Sequence, residues 1–347
     1  MRVCRTVSFF VVILLIAVLF AGAVAAPAAA QSDTIQFHYN AQHTGDYSPA
    51  AGSNVSKGKL MWSFTTNGYV GSCPSIVNGV VYVGSDDHNV YALNATTGAE
   101  LWSFTTGGYV GSSPAVVDGV VYVGSWDHNV YALNATTGTK LWSFTTRGCV
   151  DSSPTFDDGV VYVGSLDHNV YALNATTGAF EWSFTTRGKV VSSPAVANGV
   201  VYVGSYDHNV YALNATTGAE VWTYTTGGQV FSSPAVANGV VYVGSDDSNV
   251  YALNATTGAF EWGFTTGYWV YSSPAVANGV VYAGSTDRNI YAIGGNAAAA
   301  RHQVVINTPA STSQGTSPGF DVVLLFSGLV FAGLIIAAYA VKTYRLE

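Results

Sequence analysis

Ala92-Leu93-Asn94-Ala95-Thr96-Thr97-Gly98-Ala99-Glu100-Leu101-Trp102 decides the architecture, because close copies of it recur at a fixed spacing. Tryptophans fall at Trp62, Trp102, Trp142, Trp182, Trp222 and Trp262, always 40 residues apart. A period near 40 with four strand-like pieces per unit marks a β-propeller. One unit shows the pieces: Val110–Val117, Val120–Ser125, Val130–Leu133 and Leu141–Thr145. Asp118-Gly119 between the first two is a two-residue hairpin signal. Trp126–Asn129 and Asn134–Gly138 make the other two turns. A blade of this kind has two apolar faces, and only neighbouring blades in a ring cover both. The tryptophans then act as wedges between blades, each hiding about 150–250 Å² and contributing about 4–6 kcal/mol of gross transfer energy.

Six outer strands begin near Met61, Leu101, Leu141, Glu181, Val221 and Glu261, and six inner three-strand units begin near Tyr69, Tyr109, Cys149, Lys189, Gln229 and Trp269. The last inner unit runs into Ala292-Ile293-Gly294-Gly295 and has no tryptophan after it. The first outer strand, with Trp62, has no inner unit before it. Pairing the two predicts an all-β fold of six four-stranded antiparallel blades closed across the termini.

The repeat resembles the tryptophan-docking motif A-x-D-x-x-T-G-x-x-x-W of the PQQ-like propeller family, shared by quinoprotein dehydrogenases and the outer-membrane assembly lipoprotein. Asn94, Asn134, Asn174, Asn214 and Asn254 stand where that motif usually has Asp. The likeness covers about Leu60–Gly294, and Phe37, Asn40, His43, Thr44 and Gly45 look like the lead-in of secreted relatives. The resemblance implies a propeller, and in some members PQQ and calcium chemistry supported by an adjacent cysteine pair. No two cysteines are adjacent in this chain, and no blade departs sharply enough to carry a base beside a cofactor. Neither cofactor nor catalytic residue is expected.

The two ends direct the chain outward. Arg2 and Arg5, an apolar run over Val7–Phe20 and small residues up to Ala30 follow the order of a secretory signal peptide, residues 1–30, with an uncleaved anchor as the alternative. Residues 31–59 form a lead-in, 60–294 the propeller and 295–319 a Ser/Thr/Pro-rich stalk. Residues 320–347 carry an apolar stretch, Val322–Val341, long enough to cross a bilayer, followed by Lys342 and Arg345. That order predicts a single pass with the C-terminus inside and the propeller on the extracellular face. Pro318-Gly319-Phe320 before the apolar stretch resembles the archaeal PGF-type sorting signal. This resemblance implies removal of the helix and attachment of a lipid; a plain membrane anchor is the alternative.

Charged residues make up only 9% of the chain, so Ser, Thr, Asn and Gly must cover its surface, a habit of extracellular repeat proteins. The net charge of -8 and the lack of a basic stripe exclude nucleic acid as a partner. Cys73 and Cys149 sit at different positions of the repeat, two repeats apart, and are read as replacements for small residues. His88, His128, His168 and His208 each follow an Asp in a turn, but separate blades hold them too far apart to share a metal.

Compared with one another, the repeats vary in two places. One is the approach to the first strand, with Tyr69, Tyr109, Arg147, Cys149, Asp151, Arg187, Lys189, Gln229, Phe231, Tyr268, Trp269 and Tyr271. The other is the turn between the second and third strands, with Asp86, Trp126, Leu166, Tyr206, Asp246 and Thr286. Up-and-down connectivity puts both on one side of the disc. The candidate partner-binding residues are therefore Tyr69, Tyr109, Trp126, Arg147, Arg187, Lys189, Tyr206, Phe231, Tyr268, Trp269 and Tyr271. Drift after duplication also places changes in loops, but Trp and Tyr are the residues of recognition surfaces. Asn54, Asn94, Asn134, Asn174, Asn214 and Asn254 head N-x-S/T sequons and are candidate glycosylation sites; Asn also simply suits the turn.

The function expected is non-enzymatic: a cell-surface propeller that binds protein or glycan partners, tied to the membrane through its C-terminal helix or a lipid. An envelope assembly or structural scaffold and a PQQ-dependent dehydrogenase-like enzyme are the alternatives.

Overall fold

The computed structural model describes Asn40 and residues 59–294. The expected signal peptide, stalk, C-terminal span, Asn54 and Pro318-Gly319-Phe320 lie outside the described residues, as does most of the lead-in. Every described element is a strand.

Blade 1 comprises β1 (Ser75–Val77), β2 (Val80–Gly84), β3 (Asn89–Asn94) and β4 (Glu100–Thr105). Blade 2 follows with β5 (Ala115–Val117), β6 (Val120–Gly124), β7 (Asn129–Asn134) and β8 (Lys140–Thr145), and blade 3 with β9 (Thr155–Asp157), β10 (Val160–Gly164), β11 (Asn169–Asn174) and β12 (Phe180–Thr185). Blade 4 is β13 (Ala195–Ala197), β14 (Val200–Gly204), β15 (Asn209–Asn214) and β16 (Glu220–Thr225), and blade 5 is β17 (Ala235–Ala237), β18 (Val240–Gly244), β19 (Asn249–Asn254) and β20 (Phe260–Thr265). Blade 6 has β21 (Ala275–Ala277), β22 (Val280–Gly284) and β23 (Ile290–Ile293). All six sheets are antiparallel meanders, five of four strands and the last of three.

Local chemistry explains each turn. Asp118 and Gly119 both have positive φ, 49° and 77°, as the expected hairpin requires. The Asn134 carboxamide oxygen accepts from the Thr136 and Thr137 amides at 3.0 and 2.9 Å, which is why Asn serves in place of Asp. In the outer pair the register shifts between Ala132 and Leu133, so that Trp142 faces Ala132. This bulge turns the tryptophan inward.

The first strand is shorter than the sequence pattern predicts, beginning at Ala115 rather than Val110. The residues before it are spent on neighbours. Ser112 Oγ accepts the Gly124 amide at 3.0 Å in place of a ladder bond, and the Ser113 amide donates to Ser153 Oγ of the next blade at 2.9 Å. Pro114 has no amide to give.

The four junctions joining blades 1 to 5 are built alike. Trp102 Nε1–H donates to the Ala135 carbonyl at 2.9 Å, and Tyr82 Oη donates to the same carbonyl at 3.1 Å. Val110 fills the space over Gly84, where an added Cβ would come within 2.5 Å of Val110 Cγ1. Trp102, Trp142, Trp182 and Trp222 are all buried, confirming their role as wedges. The core therefore lies between blades, each of its clusters combining side chains of two neighbours.

Among the described residues no fourth strand completes the sheet of blade 6. Trp62 docks on blade 1 in the expected way, donating to the Ala95 carbonyl at 2.9 Å, but the segment around it forms no strand and β23 pairs with β22 alone among the described residues. Val70, at the position of Val110, is 51% exposed instead of 0%. Tyr282, at the position of Tyr122, is 42% exposed instead of 3%.

Candidate binding face

Each blade sends two loops to the varied side, and the backbone ties them together. The Trp126 amide donates to the Tyr109 carbonyl at 2.9 Å, joining the turn after the second strand to the approach of the first. The same bond joins Leu166 to Cys149, Tyr206 to Lys189 and Asp246 to Gln229. At the other end of the strands, the Ala135 amide donates to the Gly119 carbonyl at 2.8 Å, so the constant turns and their sequons gather opposite the varied loops.

An Asp-x-Asn-x-Tyr network holds each varied turn. Asp127 Oδ2 accepts from Tyr131 Oη and from the Gly107 amide, both at 2.6 Å, and Oδ1 accepts from the Asn129 amide at 3.0 Å. Burial works against the ionised carboxyl, but these bonds outweigh it and hold the group below the ordinary carboxylate range. Asp167 and Asp207 are lowered in the same way. Tyr131 is pushed up by burial and by Asp127 beside it.

The histidines that follow these acids sit in the left-handed region, His88 and His128 with φ 73°. The His128 carbonyl accepts from the Thr146 amide at 2.8 Å and from its hydroxyl at 3.0 Å. Ser248 and Arg288 occupy the same position with φ 73° and 77°, so the turn asks for a backbone conformation and not for an imidazole.

The candidate residues fall into two groups and some isolated members. Tyr109 lies between His88 and Trp126, with ring centroids 5.2 and 5.5 Å away, and Tyr69 lines the open end of blade 1 at 85% exposure. Arg147, Arg187 and Lys189 are exposed on blades 3 and 4. The second group is continuous across three blades. Tyr206 and Phe231 are 4.0 Å apart, Phe231 and Tyr271 4.8 Å, Tyr271 and Trp269 5.6 Å, and Trp269 and Tyr268 4.7 Å. Tyr268, Trp269 and Tyr271 are exposed, while Tyr206 and Phe231 are half-buried.

Tyr268 replaces a glycine found in the other blades. At Gly148 or Gly188 an added Cβ would come 2.5 or 2.4 Å from the amide nitrogen of the Asp opposite. Blade 6 therefore presents a ring where its siblings have no room for a Cβ, while keeping their backbone bonds between loop and turn.

Carboxylates complete the face, and the sequence reading had counted them only as variation. Trp126 Nε1–H donates to Asp151 Oδ1 of the next blade at 2.9 Å. Tyr206 meets Phe231, and Asp246 acts on Tyr271, across the same kind of junction. Burial first, then Asp151 and Asp246, push Tyr206 up to about 12. Asp246 itself is raised, by burial and by Asp247, with His208 opposing.

Comparison with known proteins places the fold. Residues 117–310 match the family model described as the β-propeller of beta-alanine-activating enzyme, and residues 50–153 match that of the outer membrane protein assembly factor BamB. No curated protein sequence matches the chain. Among solved structures the chain is similar to the computationally designed Ika8 protein, at 18% identity over 64% of this chain and 70% of that one, with a TM-score of 0.59. It is also similar to quinohemoprotein alcohol dehydrogenase from Comamonas testosteroni, at 18% identity over 72% of this chain and 57% of that one, TM-score 0.61. For quinohemoprotein alcohol dehydrogenase ADHIIG from Pseudomonas putida HK5 the values are 21%, 67%, 47% and 0.59. At such identities the likeness is one of fold, and the chain spans about half the length of each dehydrogenase. The first family match takes in more than half of the 347 residues, so the chain belongs to that β-propeller family, with repeats of the PQQ and BamB type.

Proposed function

We propose that the protein is a non-enzymatic propeller displayed at the extracellular face of the membrane, where its varied face binds a protein or glycan partner. The observation that carries this reading is the aromatic band Tyr206–Phe231–Tyr271–Trp269–Tyr268, exposed at one end and spread over three blades. Exposed Tyr and Trp are the side chains that anchor recognition. The ring at Tyr268, where the other repeats have glycine, supports selection over drift. Asp127, Asp167 and Asp207 are occupied in holding turns, which supports a binding role over acid–base chemistry. The signal-like N-terminus and apolar C-terminal stretch support display outside the cell.

A role in envelope assembly is the second reading, favoured by the match of residues 50–153 to BamB. It needs protein contacts alone and uses the same face.

A photo-reactive phenylalanine analogue placed at Trp269, or at Thr176 among the opposite turns, tests the proposal in the full chain on intact cells. Cross-links from position 269 that are absent from position 176 are expected. Equal cross-linking from both positions, or saturable uptake of PQQ with calcium by the purified chain, would overturn it.

A further inference from the structure

Among the described residues, Asp246 Oδ1 is the buried side-chain atom left without a hydrogen-bond partner. Buried polar atoms are nearly always paired, so this oxygen asks for a donor that the chain does not supply. Asp151 shows what an answered carboxylate looks like. It meets the turn of the preceding blade, and Trp126 Nε1–H pairs with it at 2.9 Å. Between blades 5 and 6 the order is reversed: the acid sits on the turn, and the approach loop brings Tyr271, whose hydroxyl does not bond Oδ1.

The surroundings of Asp246 are aromatic and negative. Its charge reaches Tyr206 on one side and Tyr271 on the other, and Asp151 adds to the field at Tyr206. Phe231 bridges the two tyrosines at 4.0 and 4.8 Å, and Trp269 extends the band from Tyr271 at 5.6 Å. His208 is a basic group whose charge opposes the rise at Asp246. Oδ1 itself is covered while the side chain as a whole is half-buried, so the carboxylate meets the face through its remaining surface.

Building on the reading of this face as a binding surface, we propose that Asp246 and the aromatic band receive an arginine side chain of a partner protein. A guanidinium is planar, weakly hydrated and rich in N–H donors, so it stacks on aromatic rings while it bonds a carboxylate. An ammonium holds its water more tightly and offers no plane to stack. A sugar needs several directional polar partners around the rings, and Asp151 is already taken by Trp126.

The test uses the full chain in mild detergent and three blocked tripeptides, Gly-Arg-Gly, Gly-Lys-Gly and Gly-Gln-Gly, titrated by saturation-transfer NMR. Saturable binding of the arginine peptide is expected, several-fold tighter than that of the lysine peptide. Asp246→Asn should weaken it by about ten-fold or more, the scale of a charged hydrogen bond. Trp269→Ala should weaken it as well, while thermal melts show both variants folded. Absence of arginine binding, equal affinity for the lysine or glutamine peptide, or an unchanged Asp246→Asn variant would overturn the proposal. If cross-linking from position 269 survives such a result, the guanidinium falls and the binding face stands. If that cross-linking is also lost, both fall.

Discussion

The five junctions between consecutive blades and the end faces of blade 6 and blade 1 present the same residue types in opposite states among the described residues. Val110 is sealed over Gly84, whereas Val70 has no blade in front of it and is 51% exposed. Gly84 has no room for a Cβ, whereas Gly284 has nothing closer than Ser272 Oγ at 3.5 Å. The serine hydroxyl that accepts an amide from the preceding blade, as Ser113 does from Cys73, is replaced at the open end by Cys73 itself, exposed and free. The difference teaches that these side chains are addressed to the neighbouring blade and not to their own sheet. Where no neighbour comes, the same residues are left in water.

The largest expected contrast tests that lesson with the wedges. Trp142 is buried and its indole N–H is paired with the Ala175 carbonyl at 2.8 Å. Trp142→Ala should lower the unfolding free energy by about 3–5 kcal/mol. Trp62 makes the same hydrogen bond, but its chain segment belongs to no sheet and its ring is half-buried. Trp62→Ala should cost less than half as much in urea denaturation. Equal losses would mean that the ring closes in solution and that the comparison breaks.

A methyl group gives a finer probe. At Gly164 an added Cβ would come 2.4 Å from Val190 Cγ1 and 2.8 Å from the Val190 carbonyl oxygen. Gly164→Ala should destabilise by about 1–3 kcal/mol through overpacking. Gly284→Ala, at the same place in blade 6, should stay within about 0.5 kcal/mol of the parent chain. A large loss at Gly284 would place a neighbour on that face.

Much of this was legible in the sequence. The 40-residue period, the tryptophan wedges and the Asp-Gly and Asn-Gly turns followed from spacing and turn chemistry, and they stand where expected. The length of the first strand was not legible, because hydrophobic alternation does not say where the Ser112 hydroxyl and the Ser113 amide go. The three-stranded last sheet was not legible either: counting strands gives the number of blades but not which terminal segment pairs. At the candidate face, comparing repeats found the varied positions one loop at a time. Their pairing was hidden, since Trp126 meets a residue 25 positions on, in the next blade. Tyr206 with Phe231 and Asp246 with Tyr271 stand at that same offset, and a comparison of repeats shifted by 25 residues would have shown them together.

The smallest expected effect separates the carboxylates within the made junctions. Asp167 is held below the ordinary carboxylate range: burial opposes ionisation, but Tyr171, the Arg147 amide and Asn169 outweigh it. A depressed folded-state value means that its contribution is present above the unfolded value and is lost as pH falls through the lowered one. Asp167→Asn should therefore cost about 1 kcal/mol at neutral pH, the scale of one hydrogen bond, with the deficit shrinking in acid. Asp246 has the opposite sign, raised by burial and by Asp247. Its ionised form is a net burden above the raised value, and stability grows as pH falls toward the unfolded value. Asp246→Asn should raise the melting temperature slightly near neutrality and lose that advantage in acid. Melting curves of the two variants between neutral pH and the carboxylate range check this. A destabilised Asp246→Asn variant at neutral pH would mean that the chain itself answers the orphan oxygen, leaving nothing for a partner to supply.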